Sequence, residues 1–331
     1  MEFTQIADTG MKASRIGIGT WAIGGWMWGG TNEDTSIQTI HAALDKGINL
    51  IDTAPVYGFG TSEEIVGKAV KQYGSRDSIL LATKTALNWK NNEPFRDGTK
   101  QRILKEIDDS LKRLQTDYID LYQIHWPDPL IPMEETADAI QSLYKSGKIR
   151  AIGVSNFTVK QMEEFRKIAP LHTAQPPYNL FERDIEKDIL PYCEENSITT
   201  LLYGSLCRGL LSGKMAASQT FGGDDLRNND PKFQHPRFQQ YLHAVNQLDQ
   251  LAKDRYGKEV IHLAVRWILD QPGTGIALWG ARRPDQLNAI NEITGWTLTD
   301  DDKAAIDNIL QTSISDPVGP EFMAPPTKEE I

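Results

Sequence analysis

The sequence predicts an α/β fold: a closed (β/α)8 or TIM barrel in which residues 1–331 form a single domain. Short apolar segments alternate with amphipathic segments at helical spacing along most of the chain, which is typical of a parallel sheet with helical crossovers. Eight of the apolar segments are predicted strands, and no linker separates them. A barrel of this kind takes roughly 250 residues, so the chain can hold one barrel with insertions.

The chain is predicted to open with a β-hairpin over residues 2–16, because two mixed strands flank the turn signal Asp8-Thr9-Gly10. Residues 16–19 form the glycine-rich first barrel strand. The letters Gly17-x-Gly19-x-x-Ala22 match the dinucleotide-binding fingerprint, but that fingerprint must open a helix. The glycines and tryptophans that follow predict a loop instead, one that approaches a ligand or crosses the barrel mouth.

Strands and helices then alternate regularly. Strands are predicted to end at Asp52, Lys84, His125, Val154, Gln175 and Tyr203, with helices over 33–47, from 62 onward, and over 99–114, 134–146, 158–168 and 185–196. Residues 204–236 lack this periodicity and predict a long loop after strand seven, a kind of loop that is often functional.

The remainder predicts helices over 237–255 and 258–270, an eighth strand over 275–278 and a helix that starts after Arg283-Pro284. An extra C-terminal helix is predicted over about 299–311. The Pro-rich tail from Ser315 either closes a pocket with Phe322 or is disordered.

Composition excludes several functional classes. The chain is 40% hydrophobic and 24% charged with a net charge of −10, which argues against binding nucleic acid or an anionic membrane. No apolar run approaches the roughly 18 residues of a membrane span. The start of the chain lacks the features of a signal peptide. Two cysteines, Cys193 and Cys207, suit a reducing compartment, so a cytoplasmic protein is expected. The histidines show no metal-ligand spacing, and no metal is predicted.

Three consecutive predicted strands end in ionisable residues, namely Asp52, Lys84 and His125, and Tyr57 lies in the loop after the first of them. Taken alone, Asp52 could cap a turn and Tyr57 could cover a strand end. In a barrel, however, the carboxyl ends of all strands open onto the face that carries the active site. The four side chains are therefore candidate catalytic residues.

These four side chains suit the reduction of a carbonyl group. A phenol has an ordinary pKa of about 10 and is an acid at neutral pH, and a neighbouring ammonium group such as Lys84 would lower that pKa. Asp52 can orient Lys84, and His125 can donate a hydrogen bond to a carbonyl oxygen. The set contains no nucleophile, and a hydride from a nicotinamide would supply the missing attack on carbon.

The sequence resembles the aldo-keto reductases over almost its whole length. The motifs are Asp52-Thr53-Ala54-x-x-Tyr57-Gly58, the strand-end Lys84, His125-Trp126-x-Asp128 and Gly153-Val154-Ser155-Asn156-Phe157. It is most similar to the bacterial general-stress aldo-keto reductases, which implies a role in a stress response. The resemblance implies that Tyr57 donates the proton, Lys84 lowers its pKa, Asp52 pairs with Lys84 and His125 orients the carbonyl. It also implies small aldehydes, α-dicarbonyls such as methylglyoxal, or sugar-derived carbonyls as substrates.

The same resemblance implies NADPH/NADP as the cofactor. Ser155, Asn156 and Gln175 would hold the nicotinamide carboxamide, and Tyr203 would stack on the ring. The segments 203–208 and 213–214, with Arg227, would meet the pyrophosphate, and Arg282 and Arg283 the 2′-phosphate. Many relatives carry Ser-x-x-x-Gln and a later Glu-Asn where this chain has Arg282 and Ala289-Ile290. The full predicted cofactor set is Thr20, Trp21, Asp52, Ser155, Asn156, Gln175, Tyr203, Gly204, Ser205, Leu206, Cys207, Arg208, Gly213, Lys214, Arg227, Gly280, Ala281, Arg282, Arg283 and Gln286.

The predicted substrate-binding residues are Trp21, Tyr57, Trp89, His125 and Trp126. The indoles could line a pocket or simply cover the barrel. Two other functions remain open from the sequence. Lys84 could form the Schiff base of an aldolase, which leaves Ser155, Asn156 and the two arginines without a role. The chain could also be a cofactor-binding, redox-sensing regulatory subunit resembling the potassium-channel β-subunits. The expected partner is a small carbonyl substrate, and the expected state is a monomer or a weak homo-oligomer.

Overall fold

A computed structural model describes residues 1–331. Its strands, in chain order, are β1 (Phe3–Gln5), β2 (Lys12–Ser14), β3 (Ile16–Gly19), β4 (Leu50–Asp52), β5 (Leu80–Thr85), β6 (Leu87–Lys90), β7 (Glu93–Arg96), β8 (Leu121–Ile124), β9 (Ile152–Ser155), β10 (Thr173–Gln175), β11 (Thr199–Leu202) and β12 (Ile276–Gly280). Its α-helices are α1 (Glu33–Asp45), α2 (Thr61–Tyr73), α3 (Lys100–Leu114), α4 (Met133–Lys145), α5 (Val159–Arg166), α6 (Ile189–Glu195), α7 (Arg237–Tyr256), α8 (Val260–Leu269) and α9 (Asp300–Ser313). None of these helices is both long and apolar enough to cross a lipid bilayer.

Eight parallel strands close into a barrel in the order β10-β11-β12-β3-β4-β5-β8-β9. The predicted (β/α)8 barrel is thus confirmed. The register of the ladder pairs Gly280 with Gly19 and Gly19 with Asp52. The carboxyl ends of the eighth, first and second barrel strands therefore lie at one level, beside each other.

The N-terminal hairpin closes the opposite end of the barrel. Ile6 and Met11 belong to a small apolar cluster with Leu50, Leu121 and Leu278, which project into the barrel interior. A much larger core of 70 buried residues fills the space between the strands and the surrounding helices. Since one end is closed by apolar side chains, a ligand can enter the barrel only from the carboxyl ends of the strands.

Several helices begin where polar side chains cap them. Asn32 accepts a hydrogen bond from the backbone of Thr35 at the start of α1, and Thr99 does the same for Arg102 at the start of α3. Thr158 and Gln161 form a capping box at the start of α5. These caps fix where each helix leaves the loop at the barrel mouth.

The structure differs from the predicted elements in four places. A hairpin of β6 and β7, which the sequence analysis does not predict, follows the third barrel strand. Its turn residues Asn91 and Asn92 have φ angles of 53° and 65°, as a two-residue hairpin turn of this hand requires. The helix predicted over 185–196 is a 3-10 turn followed by α6, and the segment Pro284–Glu292 is a 3-10 helix rather than an α-helix. A single 3-10 turn, Ala22–Gly24, occurs where the analysis expected only a loop.

Candidate active site

Two glycines hold Tyr57 in place at the mouth of the barrel. A Cβ atom on Gly58 would lie 2.1 Å from the carbonyl oxygen of Gly24, and one on Gly24 would lie 2.6 Å from the carbonyl carbon of Tyr57. Only glycine permits such a close approach, and Gly58 also has a φ of 67°. The loop after β3 therefore packs directly on the backbone that carries the phenol.

Lys84 is completely buried and lies at the centre of the site. Its Nζ atom donates to Asp52 Oδ2 at 2.6 Å, to the Thr53 carbonyl at 3.0 Å and to the Tyr57 hydroxyl at 3.3 Å. Three acceptors match the three N–H bonds of an ammonium ion. Burial lowers the pKa of Lys84, but the charge and hydrogen bond of Asp52 act against this and favour the ammonium form. An ammonium group has no lone pair for a Schiff base, so the pairing with Asp52 opposes the aldolase hypothesis.

The second oxygen of Asp52 is held by two amides. Asp52 Oδ1 accepts from Gln123 Nε2 at 3.1 Å and from Gln175 Nε2 at 2.9 Å. Gln175 was expected to bind a carboxamide, but its side-chain nitrogen is used within the protein. Only its side-chain oxygen, Oε1, is left for a ligand. Gln123 is absent from the predicted site, although its position two residues before His125 on β8 places it beside Lys84 in the ladder.

Burial determines the protonation of this site. Removal from water, with the charge of Asp52, raises the pKa of Tyr57 well above its ordinary value of 10. Burial, with the charge of Lys84, lowers the pKa of His125 well below 6.5. Nζ of Lys84 lies closer to Asp52 than to the phenol, at 2.6 Å against 3.3 Å, so burial outweighs its effect on Tyr57, and the lowering of that pKa by Lys84 stays a prediction. At neutral pH the site presents a protonated phenol and a neutral imidazole.

Tyr57 and His125 face a cavity of about 410 Å³ at the barrel mouth. Their rings meet edge to face with centroids 5.7 Å apart, and Trp21 stacks on the other side of Tyr57 at 5.9 Å. Trp126 also lines the cavity. Trp89 does not, which corrects its assignment to the substrate site: its ring packs on Phe59 at 5.6 Å and under the Arg102 guanidinium at 5.1 Å.

Other parts of the cavity wall come from residues outside the predicted substrate-binding set. The C-terminal tail forms one side, so of the two alternatives predicted for the tail the structure has the one in which Phe322 lines the pocket. The additional lining residues are Trp26, Met27, Val56, Leu87, Glu93, Pro94, Leu226, Phe322, Met323, Ala324, Pro325, Pro326 and Ile331. The tail is fixed at both ends, because Arg96 donates to the carbonyls of Pro325 and Pro326 at 2.9 Å and Lys232 donates to the Gly319 carbonyl at 2.9 Å. Sequence periodicity gave no signal for these contacts.

The residues expected near a nicotinamide are already connected to one another. Tyr203 donates to Asn156 Oδ1 at 2.8 Å, and Asn156 Nδ2 donates to the His125 carbonyl and to Ser155 Oγ, both at 3.0 Å. Ser155 Oγ donates to the backbone carbonyl of Gln175 at 2.8 Å. Asn156 also has a φ of 61°, a strained conformation of the kind found at functional sites. All four side chains line the cavity beside Tyr57 and present hydroxyl, amide and aromatic surfaces to it.

Two indole N–H groups in the loop after β3 have no hydrogen-bond acceptor within the protein. The indole nitrogens of Trp21 and Trp28 are buried without a hydrogen-bond partner, which is costly unless a ligand or water accepts from them. A cofactor rich in acceptor oxygens fits this requirement. By contrast, the hydroxyls of Thr20 and Ser205 are used inside the fold, on the carbonyls of Asp52 and Leu202. If Thr20 and Ser205 bind a cofactor as predicted, these hydroxyl protons are not the groups that they offer to it.

Arg208 does not point toward a phosphate site. Its guanidinium group is buried, where it pairs with Glu182 and lies 2.7 Å from Asp230, while Lys232 lies 2.7 Å from Glu182. These four residues, here named the buried ionic cluster, balance two cations against two anions. The expectation that Arg208 contacts the pyrophosphate is corrected, because Glu182 and Asp230 would otherwise be unpaired charges in the interior.

The other predicted cations have protein partners of differing strength. Arg227 pairs with Asp225 at 2.6 Å and lies over the Phe221 ring at 4.1 Å. Arg282 donates to the carbonyls of Trp28, at 2.6 Å, and Gly30. Arg283 is exposed and bonds to Asp285 at 3.0 and 3.2 Å. The hydrogen bond from Arg283 lowers the pKa of Asp285, and the charge of the exposed Lys214 contributes to the same shift.

The loops after β3 and β11 meet across the carboxyl end of β12. The amide of Met27 donates to Asp224 Oδ2 at 2.8 Å, and the amide of Leu226 donates to the Met27 carbonyl at 3.0 Å. Beside this bridge, Gly204 and Gly213 have φ angles of 71° and 72°, and Gln286 Oε1 accepts from the amides of Arg282 and Arg283 at 2.7 and 3.1 Å. Leu206, Gly280 and Ala281 contribute no polar side chain, and the buried Cys207 thiol has a pKa raised by burial to about 12.

Comparison with known proteins gives consistent results. Residues 15–311 match the model of the Aldo/keto reductase family. The aldo-keto reductase YhdN of Bacillus subtilis is 72% identical over 331 residues, which cover all of both chains. The NADH-specific methylglyoxal reductase of Escherichia coli is 35% identical over 302 residues, or 87% of this chain and 91% of that protein. The structure of a glycerol dehydrogenase from Gluconobacter oxydans aligns with a TM-score of 0.88 at 54% identity, over 97% of this chain and 99% of that one.

Proposed function

Because the chain belongs to the aldo/keto reductase family and is an oxidoreductase of the carbonyl/alcohol pair, we propose that it reduces small carbonyl compounds with NADPH as the hydride donor. The substrates would be small aldehydes, α-dicarbonyls such as methylglyoxal, or sugar-derived carbonyls. One observation carries the proposal: the Tyr57 phenol and the His125 imidazole face one cavity, and the buried Lys84 Nζ lies 3.3 Å behind the phenol oxygen.

The residues of the site account for the proton transfer. Tyr57 donates its proton to the carbonyl oxygen as the alcohol forms, and His125 donates a hydrogen bond to the same oxygen and orients it. The phenolate that remains is stabilised by Lys84, whose Nζ lies 3.3 Å from the oxygen. Asp52, held by Gln123 and Gln175, keeps that ammonium group charged and in place.

Aldo-keto reductases use nicotinamide cofactors, and such a cofactor supplies the hydride when bound. The residues present fit it: Ser155, Asn156, the free oxygen of Gln175 and the ring of Tyr203 would hold the nicotinamide, and the unpaired indole donors of Trp21 and Trp28 suit a ligand rich in acceptor oxygens.

Activity is tested with a panel of carbonyls followed at the NADPH absorbance. We expect turnover of neutral aldehydes and α-dicarbonyls, and a loss of most of that turnover in the variant Tyr57→Phe. A panel with no turnover would contradict the reductase, even if the cofactor bound.

The preference for NADPH is the finer part of the proposal, and a relative that is named NADH-specific shows that family membership alone does not decide it. Exposed Arg283 and Lys214 support it, since they supply mobile positive charge beside the end of β12. Arg282 contributes less directly, because it already holds the carbonyls of Trp28 and Gly30.

Fluorescence titration of both cofactors tests this preference. We expect NADPH to bind at least about tenfold more tightly than NADH, which requires only about 1.4 kcal/mol. Arg283→Ala should weaken NADPH but not NADH, whereas Arg282→Ala should weaken both because it releases the loop after β3. Arg150→Ala, on the other end of the barrel, is the matched control. Equal weakening of both cofactors by Arg283→Ala would contradict the 2′-phosphate assignment.

We further propose that the enzyme works in the cytoplasm as a monomer or a weak homo-oligomer on a small carbonyl substrate. Both cysteines, Cys193 and Cys207, are buried free thiols, which supports a reducing compartment. A role in a stress response stays a prediction.

A further inference from the structure

The cavity that faces Tyr57 and His125 has an unusual charge pattern. Its walls are mostly apolar and include the indole rings of Trp21, Trp26 and Trp126. Among all lining residues, Glu93 is the one Asp, Glu, Lys or Arg side chain. It is exposed at the tip of the β6–β7 hairpin, at the cavity entrance. A substrate therefore passes a carboxylate and meets no lining cation.

The basic side chains nearest to this wall already have hydrogen-bond or ion-pair partners within the protein. Arg96 stacks on the outer side of Trp126 at 5.3 Å and donates to the carbonyls of Pro127 and Pro325. Its charge faces Asp128 and Glu330. Deeper in the site, Lys84 is paired with Asp52 at 2.6 Å. Lys90 is the cross-strand partner of Glu93, but no ion pair joins the two side chains. Glu93 therefore has no ion-pair partner at the entrance, and the neighbouring Lys90 offsets its charge only in part.

We infer that Glu93 is a specificity-determining residue that excludes anionic carbonyl compounds. Aldehydes and ketones that carry a carboxylate or a phosphate would be repelled by Glu93 and would find no counter-charge on the apolar walls. Neutral carbonyl compounds of the same shape would enter without this penalty. This inference rests on the proposed reductase function and narrows its substrates to uncharged aldehydes, α-dicarbonyls and unphosphorylated sugar carbonyls.

A pair of aldehydes of matched shape tests the inference. Methyl 4-formylbenzoate is neutral and 4-formylbenzoate is anionic, and the two differ little in size. For each, kcat/KM is measured with NADPH, and Kd is measured separately by quenching of tryptophan fluorescence in the presence of NADP. The quantity compared is the ratio of ester to acid. The intrinsic reactivity of the two aldehydes cancels when this ratio is compared between variants.

The variants are E93Q, E93K and K90Q. The control is E321Q, because Glu321 is an exposed carboxylate next to the lining residue Phe322 and does not itself line the cavity. We expect the ester to be favoured by wild type, and E93Q to reduce the ratio by roughly three- to tenfold, as one partly exposed charge would. E93K should reduce it further by favouring the acid, and K90Q should increase it. E321Q should leave it unchanged, and salt should weaken the effect in wild type.

The two readouts separate the two proposals. If the Kd ratio responds to E93Q while neither aldehyde is turned over, the reductase proposal fails and the charge selection stands. If both aldehydes are turned over but the ratio is the same in wild type, E93Q and E93K, the role of Glu93 is overturned and the reductase proposal stands. A change in E321Q as large as in E93Q would also overturn it, since any nearby carboxylate would then suffice.

Discussion

The charged groups at the strand ends and those in the long loop after β11 behave differently. At the strand ends, Asp52, Lys84 and His125 converge on Tyr57 and leave its hydroxyl facing the cavity. In the long loop, Arg208 turns inward to the buried ionic cluster and Arg227 pairs with its neighbour Asp225. Both regions are rich in ions, yet Arg208 and Arg227 are used within the fold, whereas the strand-end residues leave a reactive hydroxyl at a cavity.

The difference shows what determines the direction of a side chain. A barrel strand is fixed by its hydrogen-bond ladder, so a residue at its carboxyl end must lie at the mouth. A loop has no such ladder, and its charged side chains adopt whichever contacts compensate the cost of burial. Glu182 and Asp230 are buried and require cations, and Arg208 and Lys232 meet that requirement.

The largest expected effect comes from the strand-end region. Tyr57→Phe removes the proton donor but keeps the ring that packs between Trp21 and His125. We expect kcat to fall by roughly 10²–10⁴-fold while the Kd of NADPH is unchanged. Steady-state kinetics and fluorescence titration measure the two quantities.

Tyr73→Phe is the matched control, because its hydroxyl bonds only to Asp45 on the surface. Wild-type turnover in Tyr57→Phe would show that another group donates the proton, and the contrast between the regions would lose its chemical basis.

The loop region should respond in stability rather than in chemistry. Glu182→Gln keeps the shape of the side chain but leaves the buried ionic cluster with an excess positive charge. We expect the free energy of unfolding to fall by about 3–5 kcal/mol, as when a buried pair loses one partner. Urea denaturation measures it.

Asp108→Asn makes the same type of change in the exposed pair with Lys148 and should cost less than about 1 kcal/mol. Similar losses in the two variants would mean that the cluster is no more structural than a surface pair.

The smallest effect concerns the pH dependence of stability. The pKa of His125 is lowered by burial in the folded protein. Below pH 6.5 this imidazole therefore binds a proton in the unfolded chain while it stays neutral in the folded one. The contribution of His125 to the free energy of unfolding is therefore fully present above pH 6.5 and is lost as the pH falls toward its folded-state pKa. In His125→Asn this loss should be absent, which makes the free energy of unfolding less dependent on pH by up to about 1.4 kcal/mol per pH unit. Urea denaturation midpoints between pH 7 and 5 measure the difference.

The exposed His243 provides the control, as His243→Asn should leave the slope unchanged. An unchanged slope in His125→Asn would indicate that the imidazole charges freely in the folded protein. Burial would then not determine the protonation of His125 at the strand ends.

What the sequence could predict follows the same division. The strands that end at Asp52, Lys84 and His125 were predictable from apolar segments that stop at a charge, since a barrel brings all strand ends together. The β6–β7 hairpin was predictable in principle from Asn91-Asn92, a recognised turn signal. The inward direction of Arg208 was not predictable, because its partners Glu182 and Asp230 lie in separate loops. The tail was predictable only as one of two alternatives, closed on a pocket or disordered, because its anchoring contacts are made by backbone carbonyls that carry no residue-specific signal.

The anchoring of the tail has a consequence for cooperativity. Lys232 of the long loop holds the Gly319 carbonyl, the Arg208 guanidinium lies 5.6 Å from the Phe322 ring, and Arg96 of the hairpin holds Pro325 and Pro326. Three segments that are remote in the chain thus share one set of contacts. Segments connected in this way open together rather than singly. In amide hydrogen exchange, the long loop and the tail should therefore open as one unit, and loosening Lys232 should increase the exchange of tail amides that it does not touch.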